Sequence, residues 1–336
     1  MYNLIFPDGY KSSLTQKQTQ KAIKLIKDTV QLKLAAALNL DRVTAPLFVT
    51  KKSGINDDLN GVERKVEFDI KEIPGVEAEV VQSLAKWKRS ALYKYGYEAG
   101  EGIYTDMNAI RRDDNVDNLH SVFVDQWDWE RVISAEERNE DFLKSIVVKI
   151  VNAIVDAQEE ISAAYPQVKT ALKREVKFVT TQELEDLYPA LTPRERENAV
   201  VKEYKTVFIM QIGDKLKSGE RHDGRAPDYD DWSLNGDIMF WDDVLGCALE
   251  VSSMGIRVDA ESLRSQLVKA NATNRSEFEF HRNVLNGVYP LTIGGGIGQS
   301  RLCMLILGKA HIGEVHVSVW PQEMTDECKA RGITLL

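Results

Sequence analysis

The chain has 336 residues, 43% of them hydrophobic and 28% charged, and a net charge of −9 at pH 7. This composition is ordinary for a globular protein with a substantial core, whereas the acidic balance argues against binding nucleic acid mainly through its phosphates. No run approaches the roughly 18 apolar residues of a membrane span, and the first residues do not form a signal peptide. We therefore expect a cytoplasmic protein that binds neither a membrane nor nucleic acid.

The cysteines support the same location. Cys247, Cys303 and Cys328 are odd in number and widely spaced. Without a CxxC pair they favour neither a zinc site nor a disulfide framework. We expect all three to be reduced thiols.

The first predicted element is a helix that runs to Leu38. Ser13 and Gln16 fit a capping box, and the apolar residues that follow keep helical spacing. Residues 42–49 (RVTAPLFV) have the composition of a strand. Pro46 within this segment implies an edge position, a bulge or the end of strand pairing.

Short strands, helices and one pair of longer strands follow in the middle of the chain. The predicted elements are a half-buried strand at 62–70, a strand at 78–82, a helix at 83–96, strands at 102–111 and 119–131, a long helix at 136–165, and a strand, two short helices and a strand within 176–211. Hairpin-like strand pairs outnumber strand–helix–strand units. We therefore predict one α+β domain, residues 1–336, built on an antiparallel sheet flanked by helices.

The last third begins with a polar loop at 213–232 that is rich in Asp, Gly and Arg. Loops of this length in compact domains are often lids or walls of a site. The elements predicted after it are strands near 234–241 and 246–258, helices within 259–286, a glycine-rich strand that runs into a helix, and a final strand at 314–320.

The glycine-rich stretch is LTIGGGIGQSRLCMLIL, residues 291–307. It lacks the lysine of a P-loop and the glycine spacing of a dinucleotide-binding turn. What remains is a glycine-rich backbone, ending at Gly298, that other groups can approach closely. An arginine, Arg301, follows in the first helical turn. Tight packing of helix on sheet, with Arg301 as a surface ion-pair partner, is an equal alternative.

Polar residues at and along two middle strands are further candidates. Arg111 begins a loop, where a guanidinium is either solvated or a fork that binds phosphate or carboxylate. On the next strand, Gln126 and Asp128 lie on the face opposite Trp127 and Trp129. A polar row that faces inward needs ligands or partners, and a solvent-exposed row is the alternative.

Two acidic residues on late strands, Asp237 and Glu250, suit Mg²⁺, which prefers oxygen ligands and bridges phosphates. An ordinary ion pair, with Arg257 as the partner of Glu250, is the more common arrangement. His120 and His222 lie in polar contexts, where hydrogen bonding is a more common role than base catalysis. No GxSxG pattern is present, so covalent hydrolysis has no support.

Taken in order, these features resemble the three signature motifs of class II aminoacyl-tRNA synthetase catalytic domains of the aspartyl/asparaginyl type. The first motif is at 42–49, the second at 109–130 (AIRRDDNVDNLHSVFVDQWDWE) and the third at 294–305 (GGGIGQSRLCML). A closer similarity is to the ammonia-dependent asparagine synthetase (aspartate–ammonia ligase) family. It rests on the words SLAKWKR, LHSVFVDQWDWER, RAPDYDDWS, LNGDI, SSMGIRVDA and TIGGGIGQSRL.

The resemblance implies an AMP-forming ligase that makes L-asparagine from L-aspartate, ATP and ammonia through a β-aspartyl adenylate and releases pyrophosphate. Arg111 would clamp the α-phosphate and Arg301 the γ-phosphate end, both as catalytic residues. The implied ligands of Mg²⁺ are Glu250 and Asp237. The implied ATP-binding residues are Arg111, His120, Asp237, Glu250, Gly298 and Arg301.

The resemblance also implies an aspartate pocket with a cation for a carboxylate, acids for the α-ammonium group and an amide for orientation. Its residues are Asp57, Lys88, Gln126, Asp128, Asp230, Ser253 and Arg257. Asp57 is also the candidate catalytic group that deprotonates ammonium. In such enzymes the first motif builds a two-fold interface, so we expect a homodimer whose interface includes Pro46.

Two departures from related enzymes separate the competing hypotheses. Asp113 stands where the synthetase second motif has glutamate, which puts its contact with the ATP amine in doubt. Tyr2 stands where a glutamine-using asparagine synthetase has cysteine, so free ammonia is the implied nitrogen source. An aspartyl-type tRNA synthetase is disfavoured because the first helix starts too close to Met1 for a preceding anticodon-binding domain. An inactive paralogue is disfavoured because the motif arginines and the metal acid are present.

Overall fold

The computed structural model describes residues 4–57, 59 and 63–336. In chain order its elements are α1 (Gln16–Leu38), β1 (Leu40–Arg42), β2 (Phe48–Thr50), β3 (Glu67–Asp69), β4 (Glu77–Val80), α2 (Ala85–Tyr95), β5 (Gly102–Ile110), β6 (Phe123–Val132), α3 (Glu140–Ala164), β7 (Lys177–Thr180), α4 (Thr181–Leu187), α5 (Pro193–Tyr204), β8 (Thr206–Met210), β9 (Asp230–Asp242), β10 (Cys247–Arg257), α6 (Ala260–Lys269), α7 (Glu279–Leu285), β11 (Thr292–Gly298), α8 (Gln299–Leu307) and α9 (Gln322–Ala330).

Eight strands form the main sheet in the order β1-β5-β6-β11-β10-β9-β8-β7, and β2, β4 and β3 form a small antiparallel sheet. The six central strands of the main sheet are antiparallel, which confirms the predicted α+β class. At the edges, however, β1 pairs with β5 and β7 with β8 in parallel. Parallel neighbours need a crossover connection, which α4 and α5 supply between β7 and β8.

Helices α1, α3 and α8 cover one face of the main sheet and enclose the largest core around Trp127 and Trp129. The other face is covered only at its ends. Helix α2 lies over β5 and β6, and α4 and α5 lie over the β8-β9-β10 side. The middle of this second face therefore carries polar side chains.

The start of α1 differs from the prediction by two residues. Thr15, rather than Ser13, is the N-cap, and its hydroxyl accepts from the Gln18 N–H while the Gln18 side chain accepts from the Thr15 N–H. Leu14, directly before the cap, is buried, which fixes how the chain enters the helix. The predicted end at Leu38 is confirmed.

Residues 42–49 form parts of two strands instead of one. Strand β1 belongs to the main sheet and β2 to the small sheet, and Pro46 lies between them at the end of pairing. The half-buried strand at 62–70 is wrong as predicted, because only Glu67–Asp69 pairs and all three residues are exposed. Residue 62 lies outside the described residues.

The predicted strand at 314–320 is also wrong. A short helical turn, Ile312–Glu314, is followed by chain that is described throughout but pairs with no strand. Val317 and Val319 are 67% and 82% exposed. An alternating pattern forms a strand only where a sheet edge is available, and here the segment passes across the start of β6 and α8.

Within the part of the chain that the structure describes, none of the helices is both long enough and apolar enough to cross a membrane.

Candidate active site

The uncovered middle of the second sheet face opens into a cleft of about 940 Å³. Strands β6, β11 and β10 form its floor, and the loop after β5 and the polar loop before β9 form two of its walls. The predicted site residues that line it are Arg111, His120, Gln126, Glu250, Ser253, Gly298 and Arg301. The fold therefore brings together predicted residues from three separate parts of the chain, 111–126, 250–253 and 298–301.

The glycines of β11 leave room for polar side chains of neighbouring strands, which pack directly against the β11 backbone. A Cβ on Gly294 would overlap Glu130 Oε2 and lie 2.6 Å from Arg257 Nη2. A Cβ on Gly296 would overlap the Gln126 amide oxygen. The close approach predicted for this backbone is thus present, and the approaching groups are side chains of the chain itself.

Arg301 extends from the first turn of α8 into the cleft. Its Nη1 donates to the Glu250 backbone oxygen at 3.0 Å, and it lies 3.9 Å from Glu250 Oε2. The carboxylate of Glu250 is 41% exposed, so this ion pair is weak. Arg301 therefore presents most of its donors to the cleft, which favours ligand binding over the packing alternative.

Arg111 leaves the end of β5 on the opposite side of the cleft. Its backbone N–H donates to Val122, whereas its Nε is buried and has no hydrogen-bond partner among the residues described. An unpaired buried guanidinium nitrogen is costly unless a ligand supplies the acceptor. Arg111 is consequently well suited to an anionic ligand.

Asp113 and His120, near Arg111, already have protein partners. The Arg64 side chain donates to Asp113 from Nε at 3.1 Å and lowers the pKa of this carboxyl to about 2. The Arg64 backbone N–H adds a second hydrogen bond at 2.7 Å. His120 Nδ1 lies 2.9 Å from Asp117 Oδ1. Asp113 thus joins the chain around 64 to the loop after β5.

On the same face of the sheet as the cleft lies a buried layer of charges centred on Arg257. Its Nε and Nη2 donate to Glu130 at 3.0 and 2.7 Å, and its Nη1 pairs with Asp230. Thr292 Oγ1 donates to Glu130 at 2.7 Å. Burial alone would lower the pKa of Arg257, but the two carboxylates raise it above its usual range.

Lys88 extends this layer from α2. Its Nζ pairs with Asp128 and donates to the backbone oxygens of Trp129 at 2.8 Å and Gly295 at 3.3 Å. Lys88 and Asp128 are both buried. The predicted aspartate-pocket residues Lys88, Asp128, Asp230 and Arg257 therefore form one paired network, which lies on the cleft-side face of the sheet next to the cleft.

Asp237, the predicted partner of Glu250 in metal binding, is buried and pairs with Arg225. Burial, together with the nearby Glu250 charge, raises the pKa of Asp237 to about 7 against the effect of the Arg225 charge. Its Oδ1 has no hydrogen-bond partner within the described chain. A bare oxygen beside a second carboxylate fits a hard cation that keeps waters and binds phosphates.

The same residues do not form a complete metal cage. Among the described residues, no group of three or more His, Cys, Asp or Glu side chains is placed to hold a metal ion together. This donor set fits Mg²⁺ that completes its coordination with phosphate oxygens and water.

Asp57 lies beside the cleft wall, not on its surface. Its Oδ1 accepts from the Leu59 N–H at 3.1 Å, and its Oδ2 has no hydrogen-bond partner in the part of the chain described. Burial raises the pKa of Asp57, although Lys86 opposes this. Lys86 also lies 3.6 Å from Asp228. Asp57 is thus an under-partnered carboxylate in a charged, buried setting.

Sequence reasoning missed three residues that shape the site: Glu130, Arg225 and Lys86. The alternation of β6 had placed Glu130 on the correct face without a role. Arg225 stood within the polar loop at 213–232, which was predicted as a site wall but not resolved into individual contacts. No sequence pattern distinguished Lys86 from the other two lysines of its helix.

Comparison with known proteins agrees with this geometry. A sequence profile of the aspartate–ammonia ligase family matches residues 17–332. The aspartate–ammonia ligase of Ruminiclostridium cellulolyticum is 59% identical over 100% of both chains. That of Clostridium tetani is 58% identical over 99% of this chain and 98% of its own length.

Among solved structures, the asparaginyl-tRNA synthetase of Pyrococcus horikoshii complexed with asparaginyl-adenylate matches with a TM-score of 0.64 and 14% identity, over 90% of this chain and 70% of the synthetase. The Entamoeba histolytica enzyme matches with a TM-score of 0.60 and 15% identity, over 89% and 66% of the two chains. These likenesses show the class II synthetase fold. With the profile and the curated relatives, they show that the chain belongs to the aspartate–ammonia ligase family and is an enzyme of ATP-dependent asparagine synthesis.

Proposed function

We propose that the cleft adenylates the side-chain carboxylate of L-aspartate with ATP and that ammonia then displaces AMP from the β-aspartyl adenylate. The products are L-asparagine, AMP and pyrophosphate. The observation that carries this proposal is that Arg111, Arg225 and Arg301 line one cleft together with the carboxylate of Glu250. Cations and a metal-binding acid in this arrangement suit a metal-bound triphosphate.

The ATP-binding half of the cleft would hold the nucleotide bent between its two walls. Arg111, with its unpaired Nε, would receive the α-phosphate, where negative charge redistributes during attack by the carboxylate. Arg301 would hold the γ-phosphate end from the opposite wall. His120 and Gly298 would border the nucleoside. Fixing both ends keeps the reacting oxygen and phosphorus aligned.

Glu250 and Asp237 would bind Mg²⁺ across the phosphates. Bound there, the ion would neutralise the triphosphate and favour the departure of pyrophosphate. The support is the bare Asp237 oxygen and the weak pairing of the Glu250 carboxylate described above. Arg225 balances the charge of Asp237 in the same corner of the cleft.

L-Aspartate would lie on the glycine floor beside the α-phosphate. Ser253 and Gln126 line the cleft there and would hydrogen-bond the substrate. Lys88 and Arg257 would contribute positive charge for its carboxylates, and Asp128 and Asp230 negative charge for its α-ammonium group. Because Lys88 is already paired with Asp128, and Arg257 with Asp230 and Glu130, these charges are preorganised.

Asp57 would take the proton from ammonium. A carboxylate whose pKa burial has raised is a better base than an exposed one, and its Oδ2 is free to accept an ammonium N–H. The base would then sit on the amino-acid side of the cleft, where the adenylate forms.

The protein would work as a homodimer in the cytoplasm. Leu32 on α1 and Leu47 beside Pro46 are 67% and 56% exposed, which suits a two-fold interface built from the first motif. The described cysteines are all buried free thiols, as expected in a reducing compartment. A sedimentation mass of one chain at micromolar concentration would contradict the dimer.

A product assay tests the reaction. The purified protein receives ATP, Mg²⁺ and L-aspartate, with ammonium, glutamine or tRNA in separate reactions. We expect asparagine, AMP and pyrophosphate with ammonium alone. Formation of ADP, equal activity with glutamine, or attachment of an amino acid to tRNA would overturn the proposal.

A further inference from the structure

Asn118, in the loop after β5, has no role among those assigned above, yet its side chain is fully engaged. Its Oδ1 accepts from the Ile5 N–H at 2.7 Å, and its Nδ2 donates to the backbone oxygens of Ile5 at 2.8 Å and Ala310 at 2.7 Å. The Ile312 N–H donates to the Asn118 backbone oxygen at 2.8 Å. Asn118 is 2% exposed. It therefore joins three segments that are far apart in sequence: the N-terminal arm (residues 4–14), the loop after β5 and the chain after α8.

The turn that contains Asn118, residues 117–120, forms part of the cleft wall. Asp117, Leu119 and His120 line the cleft, whereas Asn118 does not. The Asp117 carboxylate closes the turn, since its Oδ1 accepts from the N–H groups of Leu119 at 2.7 Å and His120 at 2.8 Å. One side of the turn is thus presented to a ligand, and Asn118 attaches the other side to the body of the protein.

Elsewhere the same loop is held by fewer or more exposed contacts. In the ion pair between Arg64 and Asp113 the Arg64 side chain is 68% exposed, so this pair adds little stability. Toward β6, Ser121 Oγ makes a single hydrogen bond to Ser318 Oγ at 2.7 Å. Asn118, with three side-chain hydrogen bonds, is therefore the strongest of these attachments.

The N-terminal arm is itself fixed without help from Asn118. The Tyr10 hydroxyl donates to the Glu314 carboxylate, 2.9 Å from Oε1, and Lys309 Nζ donates to Ser12 Oγ at 2.6 Å. The lysine and the glutamate both belong to the chain after α8. The arm and the chain after α8 therefore form one support, against which Asn118 holds the turn.

We propose that Asn118 is a positioning residue that keeps His120 and its turn in place for ATP. Without the three side-chain hydrogen bonds the turn moves away from the support, and ATP has to order it on binding. This ordering weakens binding in the ground state and the transition state alike, so it raises the KM for ATP and leaves kcat unchanged. The inference rests on the proposed function, which places ATP against this wall.

Asn118→Ala tests the inference, with Tyr10→Phe as its matched control. The first variant removes the attachment of the turn, and the second removes one hydrogen bond of the same support but leaves Asn118 intact. AMP formation is measured in both proteins with ATP varied at saturating L-aspartate and ammonium, and then with L-aspartate varied at saturating ATP. Thermal unfolding gives the stability of each protein.

We expect Asn118→Ala to raise the KM for ATP about tenfold, the equivalent of about one hydrogen bond, with kcat and the KM for L-aspartate within about twofold of wild type. Tyr10→Phe should lower the melting temperature and keep the wild-type KM for ATP. A purely structural role of Asn118 would reduce the amount of folded enzyme, and hence kcat, without changing either KM. That result, or an equal rise of the KM for ATP in both variants, would overturn the inference.

Ile5→Pro decides the matter if Asn118→Ala does not fold. Proline lacks the N–H that donates to Asn118 Oδ1, whereas its backbone oxygen can still accept. We expect the KM for ATP to rise about threefold, and a wild-type value would overturn the inference. If asparagine and AMP are still formed in that case, the proposed function stands without this role of Asn118. If the variants raise the KM for L-aspartate instead, the proposed placement of ATP is the part that fails.

Discussion

The two faces of strand β6 are equally inaccessible to water, yet one is apolar and the other is charged. Trp127 and Trp129 are 0% exposed beneath α1, α3 and α8, and on the other face Asp128 and Glu130 are 4% and 0% exposed. Apolar burial stabilises a fold directly, whereas buried ion pairs at best offset the cost of removing charges from water. The charged face therefore adds little to stability, which supports the substrate-binding role proposed for it.

Removing one member of the charged layer should have the largest effect. Arg257→Met leaves Glu130 and Asp230 buried without their counter-charge, and we expect it to lower the free energy of unfolding by about 3–5 kcal/mol and to abolish asparagine formation. Urea denaturation measures the first and the product assay the second.

The double variant Arg257→Met with Glu130→Gln serves as its control. Because it removes a charge of each sign, it should recover part of the stability and none of the activity. A single variant as stable as wild type would mean that the charged layer does not hold the floor together.

Arg301→Ala should lower activity without lowering stability, since it removes a proposed ligand contact and little packing. We expect AMP formation to fall by at least about 100-fold, as for other donors aimed at developing phosphate charge, while the melting temperature stays unchanged. Arg264→Ala is the matched control, because Arg264 also donates to a backbone oxygen, that of Leu285, but lies outside the cleft lining. Wild-type turnover by Arg301→Ala would make that arginine structural.

Two glycine substitutions test how tightly the cleft floor is packed. In Gly294→Ala the new methyl group meets Glu130 and Arg257, which are buried and paired and cannot move aside, so we expect a loss of about 1–3 kcal/mol in unfolding free energy. In Gly298→Ala the nearest atom is Arg301 Cβ at 3.3 Å, and stability should change little. Equal losses in the two variants would contradict the packing described here.

The last effect appears only when the pH changes and concerns a carboxylate away from both faces. Burial raises the pKa of Asp242 from 3.8 to about 6, and within the described chain its Oδ2 has no hydrogen-bond partner. Between these values the unfolded chain is ionised and the folded one is not, so rising pH favours unfolding by at most about 3 kcal/mol in total. Asp242→Asn keeps an acceptor for Val244 and Leu245 and should remove this fall. Urea denaturation at pH values across that interval measures it.

The sequence predicted most of the local structure and several of the residues that line the cleft, because both follow from short patterns. The alternation of β6 was enough to place Asp128 opposite Trp127, and the order of the motifs was enough to group Arg111, Glu250 and Arg301. Both results depend on neighbours along the chain or on a family resemblance, neither of which requires knowledge of the tertiary fold.

The partners of these residues were not predictable in the same way. Arg257 pairs with Glu130 across 127 positions of sequence, through strand registers that only the assembled sheet defines. Asp113 is held by Arg64, and Asp237 by Arg225, through loops without periodic patterns. The strand expected at 314–320 failed for a related reason, since alternation in a segment does not reveal whether a sheet edge is free to receive it.

The most direct test of the account follows one oxygen atom. L-Aspartate labelled with heavy oxygen in its side-chain carboxylate is converted with ATP, Mg²⁺ and ammonium, and mass spectrometry locates the label in the products. If the carboxylate attacks the α-phosphorus in this cleft, one labelled oxygen must appear in AMP and none in pyrophosphate. Label in orthophosphate, together with ADP, would place the attack on the γ-phosphorus and contradict the roles given to Arg111 and Arg301.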